Sequence, residues 1–322
     1  MNCKIKQIPL SRIRMEEDHY RITTEADLRP LSASVAAVGL IAPPLLAETG
    51  DEFQIISGFR RVAACHGLEW TEIEAKVFGP DISEADCVRL AVSDNALQRQ
   101  LNLIEMSRAF QLLRPLCRDM KALAASAADL GLPSNHGMIR KVLPLCRLPL
   151  PVQEGILAET LPLPIALDLG NLPPEEMLAF ADIFNTLRLS LNKQREVLSL
   201  VREIAARDDL AVADVLKSDA VKEILEHPDY DRNRKARLLR ISLRQRRFPN
   251  LAHAEQILEE QVRQLKLGNG VRLIPPKDFE GRAYSFHLEF KTPDDLNARR
   301  STLDRVSASP VLRQILDGYS FD

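Results

Sequence analysis

Residues 53–68 read FQIISGFRRVAACHGL, and the reading turns over at Gly58. Up to that glycine the stretch is apolar and β-prone, the pattern of a buried strand. After it, FRRVAACHGL reads as a helix that carries two arginines, Arg60 and Arg61, in its first turn. Glycine lets the backbone come close to a ligand. A helix start offers unpaired N–H groups and the positive end of the dipole. Guanidinium groups add charge-assisted donors suited to phosphate oxygens. A strand–Gly–helix turn of this kind is therefore a candidate phosphate site, and a solvated helix start is the alternative.

Working outward, LIAPPLLAE (40–48) and EFQIISG (52–58) read as two strands joined by a turn at Gly50-Asp51. KIKQIPLSRI (4–13) and EIEAKVF (72–78) read as further strands. EADLRPLSASVAAVGL (25–40) predicts a helix with Leu28, Leu31, Val35 and Val38 on one face and Gly39 at its end. SEADCVRLAVSDNALQ (83–98) and LIEMSRAFQLLRPL (103–116) predict two more. In the first of these, Asp94 and Asn95 are adjacent oxygen donors of the kind Mg²⁺ accepts beside nucleotide phosphates. A polar helix surface is the plain alternative.

From Lys121 the chain turns helical. KALAASAADLGLPSNHGMIRKVLPLCRLP (121–149) has the cadence of a helix-turn-helix, with a break at Gly131-Leu132-Pro133 and a second helix expected to start at Ser134 as its N-cap. That second helix would offer Ser134, Asn135, His136, Arg140 and Lys141 to a major groove, where Asn and Arg are common readers of adenine and guanine edges. LNKQREVLSLVREIAARD (191–208) and AVADVLKSDAVKEILEH (211–227) read as one amphipathic helix each, and HPDYDRNRK (227–235) as a linker. NLAHAEQILEEQVRQLKLG (250–268) is a helix stopped by Gly268. GVRLIPP and AYSFHLEFK are two strands, and TPDDLNARRSTLDRV closes the pattern as a helix capped by Thr292.

The 322 residues carry a formal net charge of -2, but unevenly. Residues 1–105 hold 11 Lys/Arg against 16 Asp/Glu, whereas residues 106–150 hold 7 against 2. A run of eight basic side chains and no acid follows at Arg232, Arg234, Lys235, Arg237, Arg240, Arg244, Arg246 and Arg247. Local charge governs contact with a polyanion, so the middle and late segments are the candidates for nucleic acid. The run is either a phosphate-tracking stripe or a solvated face. No apolar stretch reaches the ~20 residues of a membrane span, and no secretory signal is legible, so the expected location is cytoplasmic. The five cysteines form no CxxC pair and the six histidines are scattered, which argues against a zinc site or a disulfide framework.

The order of these features resembles the ParB family of partition proteins. IPLSRIR, LSASVAAVGLIAPPLL and FQIISGFRRVAACHGL resemble its N-terminal domain, SDNALQRQLNLIEMSRAFQLL its Glu-Asn nucleotide motif and the helix after it. LAASAADLGLPSNHGMIRKVLPLCRLPLPVQEGILAETLPLPIALDL resembles its helix-turn-helix, and the tail from GVRLIPP is similar in plan to its dimerisation module. The resemblance implies an α+β ParB/sulfiredoxin-like domain over 1–105. It implies an all-α helix-turn-helix domain over 106–228, and a basic linker helix with a small α/β C-terminal dimerisation module over 229–322. It implies a homodimer that clamps double-stranded DNA under control of CTP and Mg²⁺, associated with the nucleoid or a plasmid, with a ParA-type ATPase as a possible partner. Carried over by residue, Gly58, Arg60, Arg61 and Asn95 would bind the nucleotide. Asp94 and Asn95 would hold the cation, and Asp94 would orient water for slow CTP hydrolysis.

Three positions depart from the family pattern. Phe59 stands where an acid is common, Gln98 where an arginine is expected with Arg99 one step later, and Ala42 where a glutamine precedes proline. They favour, as the alternative, a DNA-binding regulator or nucleoid protein that has lost the nucleotide switch. A kinase or nuclease on the same fold is the second alternative. Sulfiredoxin-type chemistry would need a reactive cysteine in the glycine motif, and the nearest, Cys65, lies well along the helix. The family's basic contact segment for a ParA-type ATPase is not recognisable in MNCKIKQIPL.

Overall fold

The computed structural model describes residues 2–24 and 27–317, except the side chain of Asp278. The chain divides into two compact units, Met1–Leu191 and Asn192–Asp322.

The first unit opens on a five-stranded mixed sheet in the order β1-β5-β3-β4-β2. Its elements along the chain are β1 (Cys3–Pro9), β2 (Ile13–Arg14), α1 (Arg29–Val38), β3 (Leu45–Thr49), β4 (Glu52–Ser57), α2 (Phe59–Gly67), β5 (Glu72–Phe78) and α3 (Glu84–Ala96). β3 and β4 pair antiparallel through the turn at Gly50-Asp51, and β5 lies antiparallel to β1 and parallel to β3. β5 shows why the sequence chooses a strand. Ile73, Ala75 and Val77 point into the core while Glu72, Glu74 and Lys76 face out, the period-2 alternation of a half-buried sheet. Ile8, Val35, Leu46, Phe53, Ile55, Val62 and Cys65 complete that core. In α1 the expected apolar face holds at Val35, which is buried, and at Leu31, which packs against the core, whereas Val38 in the last turn is 65% exposed.

Helices complete the unit: α4 (Leu103–Leu113), α5 (Met120–Asp129), α6 (His136–Val142), α7 (Leu150–Leu157), α8 (Leu163–Leu169) and α9 (Pro174–Leu187). α4 is the hub, packing against α3, α5, α6 and α7. α6 is capped by Asn135, whose side chain accepts from the Met138 N–H, and not by Ser134 as expected. Asn and Ser are about equal as caps, so position decides: the helix starts at His136, and Asn135 is the residue directly before it.

The second unit contains α10 (Leu191–Asp208), α11 (Val212–Leu216), α12 (Asp219–Glu226), α13 (Arg232–Arg247), α14 (Pro249–Leu265), β6 (Val271–Ile274), β7 (Ser285–Leu288), α15 (Pro293–Ser307) and α16 (Pro310–Asp317). The single helix expected over 211–227 breaks at Lys217-Ser218 into α11 and α12, with Ser218 as the new N-cap. Half of the expected linker 227–235 is the first turn of α13, started by Asp231 accepting from the Arg234 N–H. α16 follows the helix expected to close the pattern. Leu258, Leu265, Val271, Leu273, Val306 and Ile315 form this unit's core.

Candidate functional site

The turn between β4 and α2 forms because Gly58 takes φ +97°, a conformation that side-chain-bearing residues rarely adopt. A Cβ there would lie 2.8 Å from the Pro44 Cβ and 3.0 Å from its Cα. The turn therefore needs glycine both for its backbone and for its contact with the β3 entry.

Gly58, Arg60, Arg61, Asp94 and Asn95 come together in one cleft of about 160 Å³. Its walls also include Ile22, Thr23, Phe59, Gln98 and Arg99. Asp94 stands at the centre. Its Oδ2 accepts from the Ser57 hydroxyl at 2.5 Å and from Arg61 Nη2 at 3.1 Å, and its Oδ1 accepts from Gln98 Nε2 at 3.0 Å. Arg61 also donates to the carbonyls of Ala42 at 2.9 Å and Pro43 at 3.3 Å. The Asn95 carboxamide is turned back on its own helix, donating to the Ala91 carbonyl at 2.8 Å.

Arg60 differs from Arg61. It donates from one terminal nitrogen to the Asp27 carbonyl at 3.3 Å, and its buried Nε has no partner. The buried hydroxyl of Thr23, which also lines the cleft, has none either. Two buried polar atoms without protein partners on one cleft call for a partner, which a polar ligand or an ordered water would supply.

The Thr23 wall is fixed at both ends. On one side the Tyr20 hydroxyl donates to Glu84 Oε2 at 2.6 Å. Burial first, and then this hydrogen bond, hold the Tyr20 phenol well above its ordinary pKa. On the other side Glu105, only 2% exposed, accepts from the Thr24 N–H at 3.1 Å. The same carboxylate accepts Arg99 bidentately at 2.7 and 2.8 Å and caps α4 through Asn102. Burial pushes its pKa up, but Arg99 and the two backbone N–H groups outweigh this and hold it below the ordinary range. Arg99 is thus committed to Glu105 rather than offered to a ligand.

A divalent cation does not fit this donor set. The Asp94 carboxylate is shared among three donors, one of them cationic. Among the described residues no three His, Cys, Asp or Glu side chains converge as metal ligands. The Cys65 thiol is fully buried, and burial raises its pKa, the mark of an inert structural cysteine.

On the helix-turn-helix, Ser134, Asn135, His136, Arg140 and Lys141 are all exposed, while Ile139 and Val142 anchor α6 in the core. The Asn135 carboxamide oxygen is engaged as the cap. The basic run lies on α13. Arg240 meets Glu196 at 2.6 Å, Arg247 meets Glu203 at 2.7 Å and Arg246 meets Asp208 at 3.1 Å, all acids of α10. Arg244 lies 3.8 Å from Glu255, Arg234 stacks over the Tyr230 ring, and Lys235 donates to the Leu225 carbonyl. Arg232 and Arg237 are exposed.

Sequence reasoning missed Thr23, Ser57 and Glu105. Ser57, the last strand residue before Gly58, carried a positional signal. Thr23 carried none, because its loop has no periodicity.

A family model of the ParB N-terminal domain matches residues 2–96. Over these residues the chain carries a ParB N-terminal domain. The nucleoid occlusion protein of Bacillus subtilis (strain 168) is 28% identical over 157 residues, covering 48% of this chain and 53% of that protein. The chromosome-partitioning protein ParB of Myxococcus xanthus (strain DK1622) is 31% identical over 110 residues, 34% of this chain and 36% of that protein. The chain spans about half the length of the nucleoid occlusion proteins it matches. A structure of C-terminally truncated ParB from Caulobacter crescentus complexed to the centromeric parS site is 20% identical, with a TM-score of 0.34 over 59% of this chain and 96% of that one. The cleft lies within the ParB domain and the loop that follows it. Among the described residues no helix is long and apolar enough to cross a membrane.

Proposed function

We propose that the chain is a ParB-type DNA-binding protein whose N-terminal domain binds the phosphates of a nucleotide, CTP by family resemblance, and which acts in partition or organisation of DNA. The observation that carries this reading is the Gly58–Arg60 turn. An arginine with a buried, unpartnered nitrogen lines a cleft at a helix start, together with a threonine whose buried hydroxyl is unpartnered. At about 160 Å³ the cleft is smaller than the ~300–1,000 Å³ that encloses a drug-sized ligand, so it suits the phosphate end of a nucleotide.

In the three-part layout of this reading, residues 106–228 bind DNA through α6, and residues 229–322 hold a homodimer together. Support for the DNA role comes from the exposed Ser134, His136, Arg140 and Lys141 and from the basic charge of 106–150. Nucleotide in the cleft would favour the closed dimer on DNA, and its loss would reopen it. Of the basic stripe, Arg232 and Arg237 are exposed, and in this reading they contact DNA phosphate.

A second reading, a DNA-binding nucleoid protein without the switch, is favoured by Phe59 and by the locking of Arg99 onto Glu105. The test of the DNA role is enrichment of duplexes from a random-sequence pool by the full chain. A recurring motif is expected, and Arg140→Ala should lose about 1–3 kcal/mol for it. Recovery of no motif would remove the sequence-selective reading.

A further inference from the structure

We infer that the cleft binds nucleotide phosphates without a divalent cation, the charge that a cation supplies elsewhere being built into the protein. The inference rests on the nucleotide reading above. Of the three arginines that line the cleft, Arg99 is paired with Glu105 and Arg61 with Asp94, while Arg60 meets only the Asp27 carbonyl, so the cleft's cationic charge for a phosphate rests on Arg60. The Asp94 carboxylate is already part of an internal pair. Arg61 Nη2 lies 3.1 Å from Oδ2, the Ser57 hydroxyl shares the same oxygen at 2.5 Å, and Gln98 takes Oδ1 at 3.0 Å.

A carboxylate has about four lone-pair positions, and three are filled here. Mg²⁺ binds at about 2.0–2.1 Å from its oxygens, keeps near-octahedral geometry and gives up water reluctantly. At Asp94 Oδ2 it would stand against a guanidinium of like charge and would have to displace the serine hydroxyl.

The neighbouring carboxylates offer no replacement. Glu105 is held bidentately by Arg99, and Asp27 pairs with Arg29 at 2.8 Å. Asn95 could contribute one neutral amide oxygen, since its Nδ2 is spent on the Ala91 carbonyl. Hard divalent cations at nucleotide sites rely on carboxylates together with phosphates, and one amide is a poor substitute.

Arg60 is differently placed. Its buried Nε and the buried Thr23 hydroxyl have no partner in the protein, and a small shift of either side chain would let it serve a phosphate oxygen. In this arrangement Asp94 is a positioning residue. It holds Arg61 against the Ala42 and Pro43 carbonyls and so shapes the floor under Gly58.

The test is calorimetric titration of CTP into the full chain, once with excess Mg²⁺ and once with EDTA, at matched ionic strength. The dissociation constant is expected to be the same in both. A weakening of about tenfold or more in EDTA would overturn the inference and leave the nucleotide reading intact. Absence of binding in both buffers would overturn the nucleotide reading and this inference with it.

Discussion

At the residue scale, Gly58 and Arg60 set the character of the site. Gly58→Ala places a methyl group against Pro44 in a left-handed conformation, so a loss of about 1–3 kcal/mol is expected in chemical denaturation. Stability equal to the parent would mean that the turn relaxes freely. Arg60→Ala should leave the fold intact and weaken nucleotide binding by about 1.5–3 kcal/mol, the range for a hydrogen bond to a charged group. The glycine and both arginines were legible in the sequence, because a strand-to-helix switch at Gly58 is a local pattern. The division of labour between the arginines was not. It depends on Asp94, Ala42 and Pro43, which come near only when the sheet folds.

At the scale of elements, Glu105 ties α4 to the loop that carries Thr23. Its folded pKa is depressed, so its contribution is present above the unfolded carboxylate value of about 4.3 and is lost as pH falls through the folded value. The Tm difference between the parent chain and Glu105→Gln should therefore be largest near neutral pH and shrink in acid. A pH-independent difference would show that the carboxylate charge is not what matters. The sequence showed α4 as a helix but not this role, since the partners of a buried acid are spread over residues 24–105.

The basic run shows the same limit on α13. Arg240 and Arg247, seven apart, meet Glu196 and Glu203, also seven apart on α10, so two complementary helix faces pair. That spacing was visible in the sequence, but the facing of the two helices was not. These pairs are partly exposed, so Arg247→Ala should cost about 1 kcal/mol or less, and the cost should fall in high salt. A larger or salt-independent loss would indicate a packing role for the arginine stem.

At the scale of the molecule, the strands around the Gly50 and Gly58 turns were legible from their local pattern, and residues 2–96 match the ParB N-terminal domain, whereas the sheet order β1-β5-β3-β4-β2 depends on pairings between distant segments that no local pattern shows. The division after Leu191 was not legible either, because no glycine, proline or charge boundary marks it within LNKQREVL. The N-terminal unit brings the cleft and the helix-turn-helix into one body, with α4 in contact with both α3 and α6. This arrangement suits a protein in which nucleotide and DNA address neighbouring parts of one framework. The most direct measurement is calorimetric titration of CTP, ATP, GTP and UTP into the full chain and into Arg60→Ala. Binding of CTP in preference to the other three, weakened by roughly tenfold or more in Arg60→Ala, is the expected result. Binding of none of them, or CTP affinity unchanged in Arg60→Ala, would contradict the assignment of the Gly58–Arg60 turn as a phosphate site.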